Sequence, residues 1–361
     1  MREHLLKAAR ALTLSFASVF ATLVGFATVT SLRAHAWTWA QLGVALLAAL
    51  VAAMLALALP KRRRVRRVAA IVAIVSLARI GWAAFPRHGA EHPGALVKTR
   101  FVASPPATRL FWQGLPERET VPLGALVDLS PREREQSLAS IEAAYAAIET
   151  EDLFERAESP LLDSWFFDRE HFWLAAPSGP GPFPLVVFVH GNGGTFQFYP
   201  HLLARGAVER GLAIAFPSNG FGFWGGSDAP GRISRVVDAV ARELPIDRTR
   251  VALVGLSAGG EGVFGAALHD PGSYRAVAAV SAVFPPLDRA AAWKATKVLI
   301  LHGAQDPRAS VEGARRARDD LARVGAAVEL DEDPEADHLA LVAHERWAPR
   351  LLDWLARATK D

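Results

Sequence analysis

One serine in this chain, Ser257, stands where a hydroxyl could be made nucleophilic. It lies in Gly255-Leu256-Ser257-Ala258-Gly259-Gly260, directly after the apolar run Val251-Ala252-Leu253-Val254. An apolar run ending in a glycine-flanked serine is what a buried strand needs to break sharply into a helix. The side chains two before and two after the serine must be nearly absent there, because the two backbones almost touch. A serine hydroxyl is a weak nucleophile and needs an imidazole within hydrogen-bond reach, with a carboxylate behind it. Both residue types follow downstream. Asp306 ends His302-Gly303-Ala304-Gln305-Asp306, after the apolar stretch Val298-Leu299-Ile300-Leu301. His338 follows a proline- and acid-rich loop that begins beyond Val328-Glu329-Leu330. His338 is the expected base, and Asp306 would hold its tautomer and stabilise the imidazolium. The rival base is His344, but it falls inside the apolar pattern of an expected closing helix, where a structural or surface role fits better. Asp337 reads as a loop or helix-capping acid.

Acyl chemistry at a serine also needs fixed donors for the oxyanion, and backbone amides serve without reorganising. Leu185-Val186-Val187-Phe188-Val189 reads as a buried strand running into His190-Gly191-Asn192-Gly193-Gly194. The expected donors are the amide of Ala258, at a helix start, and that of Asn192, with Gly193 as the alternative to Asn192. His190 is expected to pack or hydrogen-bond so as to shape the loop. The glycine-rich segment Ser218 to Gly226 carries Phe221 and Trp224. They could line an apolar substrate pocket or serve as ordinary core.

The elements that must position these residues alternate. Strands are expected at 185–189, 251–254, 274–283, 298–301 and 328–330, and helices at 200–209, 233–243, 257–268, 311–324 and 338–356. Strand, crossover helix, strand is the pattern of a doubly wound, mostly parallel sheet. Trp165-Phe166-Phe167 and Phe172-Trp173-Leu174 look like antiparallel strands at its start. Ser130-Pro131-Arg132-Glu133 is a capping box, and Leu138, Ile141, Tyr145 and Ile148 give the helix behind it one apolar face.

In the order oxyanion loop, Ser257, Asp306, His338, the region 162–361 resembles the α/β-hydrolase superfamily. The Gly-Leu-Ser-Ala-Gly-Gly and His-Gly-Asn-Gly-Gly stretches look most like secreted esterases, including polyester depolymerases and feruloyl esterases. The tail from Val298 to His338 is similar to dienelactone-hydrolase-like members. The resemblance implies carboxylic ester hydrolysis through an acyl-enzyme, with no cofactor and no metal, on a small-molecule or polymer-borne ester. An acyltransferase would use the same groups; a serine peptidase and a non-catalytic scaffold are the remaining readings. His88-Gly89-Ala90-Glu91-His92 matches a zinc pattern that requires a helix. Pro86, Gly89 and Pro93-Gly94 argue against one. Cysteine is absent, so no disulfide or thiolate site enters.

The first quarter is built differently. Ala11 to Leu32, Ala34 to Pro60 and Val68 to Phe85 are apolar stretches, Arg79 being the one strong charge within them, and each is long enough to cross a bilayer core. Arg79 lies close enough to the end of its span to snorkel to the interface. Lys61 to Arg67 sits between the second and third and holds six positive charges, which the positive-inside rule reads as a cytoplasmic loop. The expected organisation is therefore a membrane anchor of three transmembrane helices at 1–86, a linker and capped helix at 87–161, and a catalytic domain at 162–361 on the extracytoplasmic side. Ala34-His35-Ala36 resembles a signal-peptidase site. The long apolar stretch before it and the span directly after it favour retention of the first span. Residues 1–85 carry a net +10 and the remainder −7, which together give the chain's +3. The basic balance thus belongs to the anchor and implies no nucleic-acid partner for the rest.

Overall fold

The computed structural model describes residues 92, 94–102, 131–155, 171–192, 194–219, 224–287, 293 and 295–360. The three expected spans, Ser130, Trp165 to Phe167, Gly193 and Phe221 lie outside these residues. Among the described residues no helix is long and apolar enough to cross a membrane.

Eight strands form one sheet: β1 (Lys98–Phe101), β2 (His171–Ala175), β3 (Phe183–Val189), β4 (Ala213–Pro217), β5 (Ile246–Leu256), β6 (Ala276–Val280), β7 (Lys297–Gly303) and β8 (Ala327–Asp333). Their spatial order is β1-β2-β4-β3-β5-β6-β7-β8. The β1–β2 and β2–β4 pairs are antiparallel, and the other five are parallel. The helices are α1 (Pro131–Thr150), α2 (Phe198–Glu209), α3 (Ala229–Glu243), α4 (Gly259–His269), α5 (Val311–Arg323), α6 (Ala340–Ala343) and α7 (Trp347–Ala358).

Strand β3 feeds β4 on one side of itself and then pairs with β5 on the other. The winding reverses at that point, and sheets of this kind bind their ligands beyond the carboxyl ends of the two strands concerned, here β3 and β5. The register sets Val189 beside Gly255, so the loop after β3 and the serine turn after β5 begin side by side.

The central strands read as continuous apolar runs because helices cover both faces. Leu185 to Val189, Val251 to Val254, Ala276 to Val280 and Val298 to Leu301 are all buried. Helix α3 turns Ile233, Val236, Val237 and Val240 inward, and α7 turns in Trp347, Leu351, Leu352, Trp354 and Leu355. Fully burying one such side chain contributes about 1.5–3 kcal/mol.

Two helix expectations change here. The closing helix expected over 338–356 is two helices, α6 and α7, separated at His344–Arg346. Pro349 explains the break: it has no amide to donate, so it is accommodated in the first turn of a helix restarting at Trp347. Helix α3 begins at Ala229 rather than Ile233, with Pro230 in its first turn. The segment expected as a linker and capped helix meets the rest of the fold at two places. Strand β1 pairs with β2, and α1 buries Ile141, Ala144 and Tyr145, with the Tyr145 ring 6.3 Å from that of Phe198 on α2.

Candidate active site

Ser257 follows the last residue of β5 and has φ = 52°, a left-handed conformation that non-glycine residues adopt only when the surroundings enforce it. Its amide donates to the Val280 carbonyl at 3.0 Å, and its carbonyl accepts from the Gly260 and Val283 amides, both at 3.0 Å. The glycines around it are required by close approach. A Cβ on Gly255 would lie 2.6 Å from the Gly259 carbonyl oxygen, and one on Gly259 would run into the Val189 and His190 carbonyls. The turn is therefore clamped between β3 and α4, with the serine beside the carboxyl end of β3.

The expected base and acid, His338 and Asp306, meet it there. His338 Nε2 lies 3.0 Å from Ser257 Oγ, and His338 Nδ1 lies 2.8 Å from Asp306 Oδ2 and 3.1 Å from Oδ1. Asp306 and His338 are both buried. Burial alone would raise the Asp306 pKa. The hydrogen bond and charge of His338 outweigh it, together with the Ala309 and Arg308 amides, and hold the carboxyl below the usual carboxylate value. Both amides donate to Asp306 Oδ1 at 2.9 Å. An ionised carboxylate facing Nδ1 fixes that nitrogen as the N–H and leaves Nε2 as the lone pair toward the serine. The rival His344 lies at the end of α6, 3.7 Å from Asp333.

Asp333 organises the approach to His338. Its carboxylate accepts from the Glu335 amide at 3.0 Å, Arg346 Nε at 3.1 Å and Trp347 Nε1 at 3.3 Å. Its carbonyl accepts from the Ala304 amide at 2.8 Å. The turn that presents His338 is thereby tied both to the end of β7 and to the start of α7.

The two expected oxyanion donors also border the serine. Ala258 precedes the first turn of α4, where amides lack helical partners and favour negative charge. A Cβ on Gly191 would lie 2.9 Å from Ser257 Cβ and 3.5 Å from Oγ, so Gly191 packs directly against the serine side chain and Asn192 follows it. Asn192 is exposed. Among the described residues neither the Ala258 nor the Asn192 amide donates elsewhere.

Two buried histidines brace the loops. His190 Nδ1 donates to the Gly191 carbonyl at 2.6 Å, and its Nε2 accepts from the Asn219 amide at 3.1 Å. Burial pushes its pKa down to about 4, so it is neutral and ill-suited to act as a base. His302 Nε2 donates to the Ala309 carbonyl at 2.7 Å, pinning the turn whose amides hold Asp306, and burial lowers its pKa as well. The sequence carries a signal for this pair. A His-Gly dipeptide ends an apolar strand twice, at 190–191 and 302–303, and each glycine makes room for close backbone or serine contact. The contact of His190 with the Asn219 amide carries no such signal in the sequence.

Trp224 requires a correction. It is 2 % exposed and packs edge-on against His190 at 5.5 Å, with its Cβ close against Gly262. A ring covered this completely forms core behind His190 rather than a wall of an open pocket. Phe221 lies outside the described residues. His92, the described histidine of the rejected zinc pattern, lies 3.3 Å from Asp152. Among the described residues no group of three or more His, Asp or Glu is arranged to hold a metal ion.

Comparison with known proteins bears on the region of the serine. Residues 233–331 match the family model described as "Putative esterase". No curated protein matches the sequence. Among solved structures, a thermostable esterase aligns with TM-score 0.44 and 22% identity, covering 52% of this chain and 59% of its own. The S-formylglutathione hydrolase of Staphylococcus aureus aligns with TM-score 0.42 and 18% identity, covering 52% and 90%. An acylaminoacyl peptidase of Pyrococcus horikoshii aligns with TM-score 0.43 and 15% identity, covering 52% and 38%. The aligned part thus spans about three fifths of the thermostable esterase and under two fifths of the peptidase. With its mostly parallel eight-stranded sheet, its serine turn after β5 and an esterase-family match over 233–331, the chain resembles the α/β-hydrolase superfamily.

Proposed function

We propose that this protein is a serine hydrolase cleaving carboxylic esters through an acyl-enzyme on Ser257. The observation that carries the reading is the unbroken chain from Ser257 Oγ through His338 to Asp306, at 3.0 and 2.8 Å. In this reading His338 Nε2 takes the hydroxyl proton as Oγ attacks the acyl carbonyl. The amides of Ala258 and Asn192 receive the negative charge on the carbonyl oxygen. As the tetrahedral adduct collapses, the ester C–O bond breaks and His338 returns the proton to the leaving alcohol. Water, deprotonated by the same nitrogen, then releases the acid and restores Ser257. Asp306 stays ionised throughout and stabilises the imidazolium.

The hydrolase part is held, in this proposal, on the extracytoplasmic side of a membrane by three spans within residues 1–86. The apolar stretches and the Lys61 to Arg67 loop support that topology. The substrate is a small-molecule or polymer-borne ester. Phe221 is proposed to contribute to its pocket, and Trp224 to act only from behind, through His190. Acyl transfer to an alcohol acceptor uses the same groups and differs only in what attacks the acyl-enzyme. Turnover of p-nitrophenyl esters with and without added alcohols tests the assignment. Free acid as the dominant product supports hydrolysis, alkyl ester as the dominant product replaces it with transfer, and no turnover of any ester contradicts both.

A further inference from the structure

A linear set of contacts runs from helix α3 to the oxyanion loop. Arg232, at the end of the first turn of α3, donates from Nη1 to Asn219 Oδ1 at 2.6 Å, while its Nε donates to Asp228 at 3.0 Å. The side chain of Asn219 is thereby held, and its backbone amide donates to His190 Nε2 at 3.1 Å. The preceding amide, of Ser218, donates to the His171 carbonyl at 3.0 Å, fixing the end of β4 from the other side. His190 Nδ1 in turn donates to the Gly191 carbonyl at 2.6 Å.

Two elementary constraints give this set a consequence. A neutral imidazole has one N–H and one lone pair. With Nε2 facing the Asn219 amide, which can only donate, the proton must sit on Nδ1. A trans peptide is planar, with its C=O and N–H on opposite sides. Once the Gly191 carbonyl is turned onto His190 Nδ1, the Asn192 N–H must point away from His190. That peptide starts from a residue packed on Ser257, since a Cβ on Gly191 would lie 2.9 Å from Ser257 Cβ. Moving the proton to Nε2 would set two donors against each other at Asn219 and two acceptors at Gly191. The peptide could relieve the second conflict only by turning, which would withdraw the Asn192 amide.

We propose that Arg232 and Asn219 are positioning residues that lock the His190 tautomer and so aim the Asn192 amide at the oxyanion. Trp224, edge-on to the His190 ring at 5.5 Å, keeps that ring from rotating out of the alignment. The proposal rests on the ester-hydrolase reading for its kinetic consequence only; the tautomer is a property of the resting protein. Because the effect is on a donor used in the transition state, it falls on kcat rather than on ground-state binding.

The test has two arms. In the first, long-range 1H–15N correlation spectra of histidine-labelled full-length protein read the His190 tautomer, assigned against a His190→Gln variant. The Nδ1–H form is expected, and the Nε2–H or imidazolium form near neutral pH would overturn the proposal whatever the variants do. In the second, Arg232→Ala and Asn219→Ala are compared with wild type in ester turnover and in inhibition by phenylboronic acid, whose serine adduct carries the tetrahedral oxygen. Complete loss of an oxyanion donor costs about 10²–10³ in kcat, so a donor left in place but no longer aimed should cost roughly tenfold. The expected result is a kcat and a boronate affinity both lowered about tenfold, with KM within about twofold. The double variant should be no worse than either single one, because the residues act in series. A kcat within about twofold of wild type, a loss carried by KM, or additive losses would overturn it. If Ser257 proves not to be the nucleophile, the kinetic arm fails through the hydrolase reading, and the tautomer arm still decides the lock.

Discussion

Replacing Asp306 by asparagine isolates what the carboxylate does, because the two side chains have the same shape. Asp306 Oδ1 accepts the amides of Arg308 and Ala309, both at 2.9 Å. An asparagine must keep its oxygen there, since an NH2 group would face two donors. Its NH2 then replaces Oδ2, which lies 2.8 Å from His338 Nδ1. Donor would meet donor, so the ring must move its proton to Nε2 and offer Nδ1 as the acceptor. Nε2, 3.0 Å from Ser257 Oγ, then has no lone pair to take the hydroxyl proton. The fold is retained while the base is lost. By analogy with other Ser-His-Asp sites kcat should fall about 10³–10⁴-fold, equivalent to roughly 4–5.5 kcal/mol in the barrier. The assay is p-nitrophenyl ester turnover at neutral pH, with thermal unfolding as the control on folding. A loss under about tenfold in a folded Asp306→Asn protein would refute the reasoning.

Three further outcomes can be measured. His338→Ala should lower kcat by about 10³-fold or more, and His344→Ala should leave it within about twofold; the reverse pattern in ester turnover would move the base to His344. Stability should fall on acidification: the folded-state pKa of His190 is about 4 against 6.5 for an unperturbed histidine. The unfolded chain therefore binds the extra proton between those values. The contribution is fully present above about pH 6.5 and is lost as pH falls toward 4, about 3 kcal/mol at most. Denaturant unfolding across that window should show a steeper decline for wild type than for His190→Asn, and equal slopes would contradict the burial argument. An alkaline phosphatase fused after Phe85 should be active, as the Lys61 to Arg67 loop requires; activity only from a cytoplasmic reporter would overturn the topology.

What could be read from the sequence was whatever local geometry dictates. The turn at Ser257 was legible because glycines at 255 and 259 are the only residues that fit against Val189 and Gly259 carbonyls, and that demand is written within six residues. The strands carrying Asp306 and the oxyanion loop were legible because parallel strands covered on both faces become unbroken apolar runs. Strand β1 was not, since Lys98-Thr99-Arg100-Phe101 has no apolar run and is a strand by virtue of pairing with β2, some 70 residues away. The break between α6 and α7 was hidden because apolar periodicity continues across it, although Pro349 and the hold of Asp333 on Arg346 and Trp347 restart the helix. The Asn219–Arg232 contact spans a glycine-rich loop with no period to read. Trp224 looked equally fit for pocket or core, and its place behind His190 came from tertiary packing alone.

The central claim is that Ser257 is the nucleophile. Full-length protein treated with a fluorophosphonate and digested should carry a single adduct on the peptide containing Ser257, and the folded Ser257→Ala variant should carry none. An adduct on another residue, or undiminished labelling of Ser257→Ala, would contradict the account.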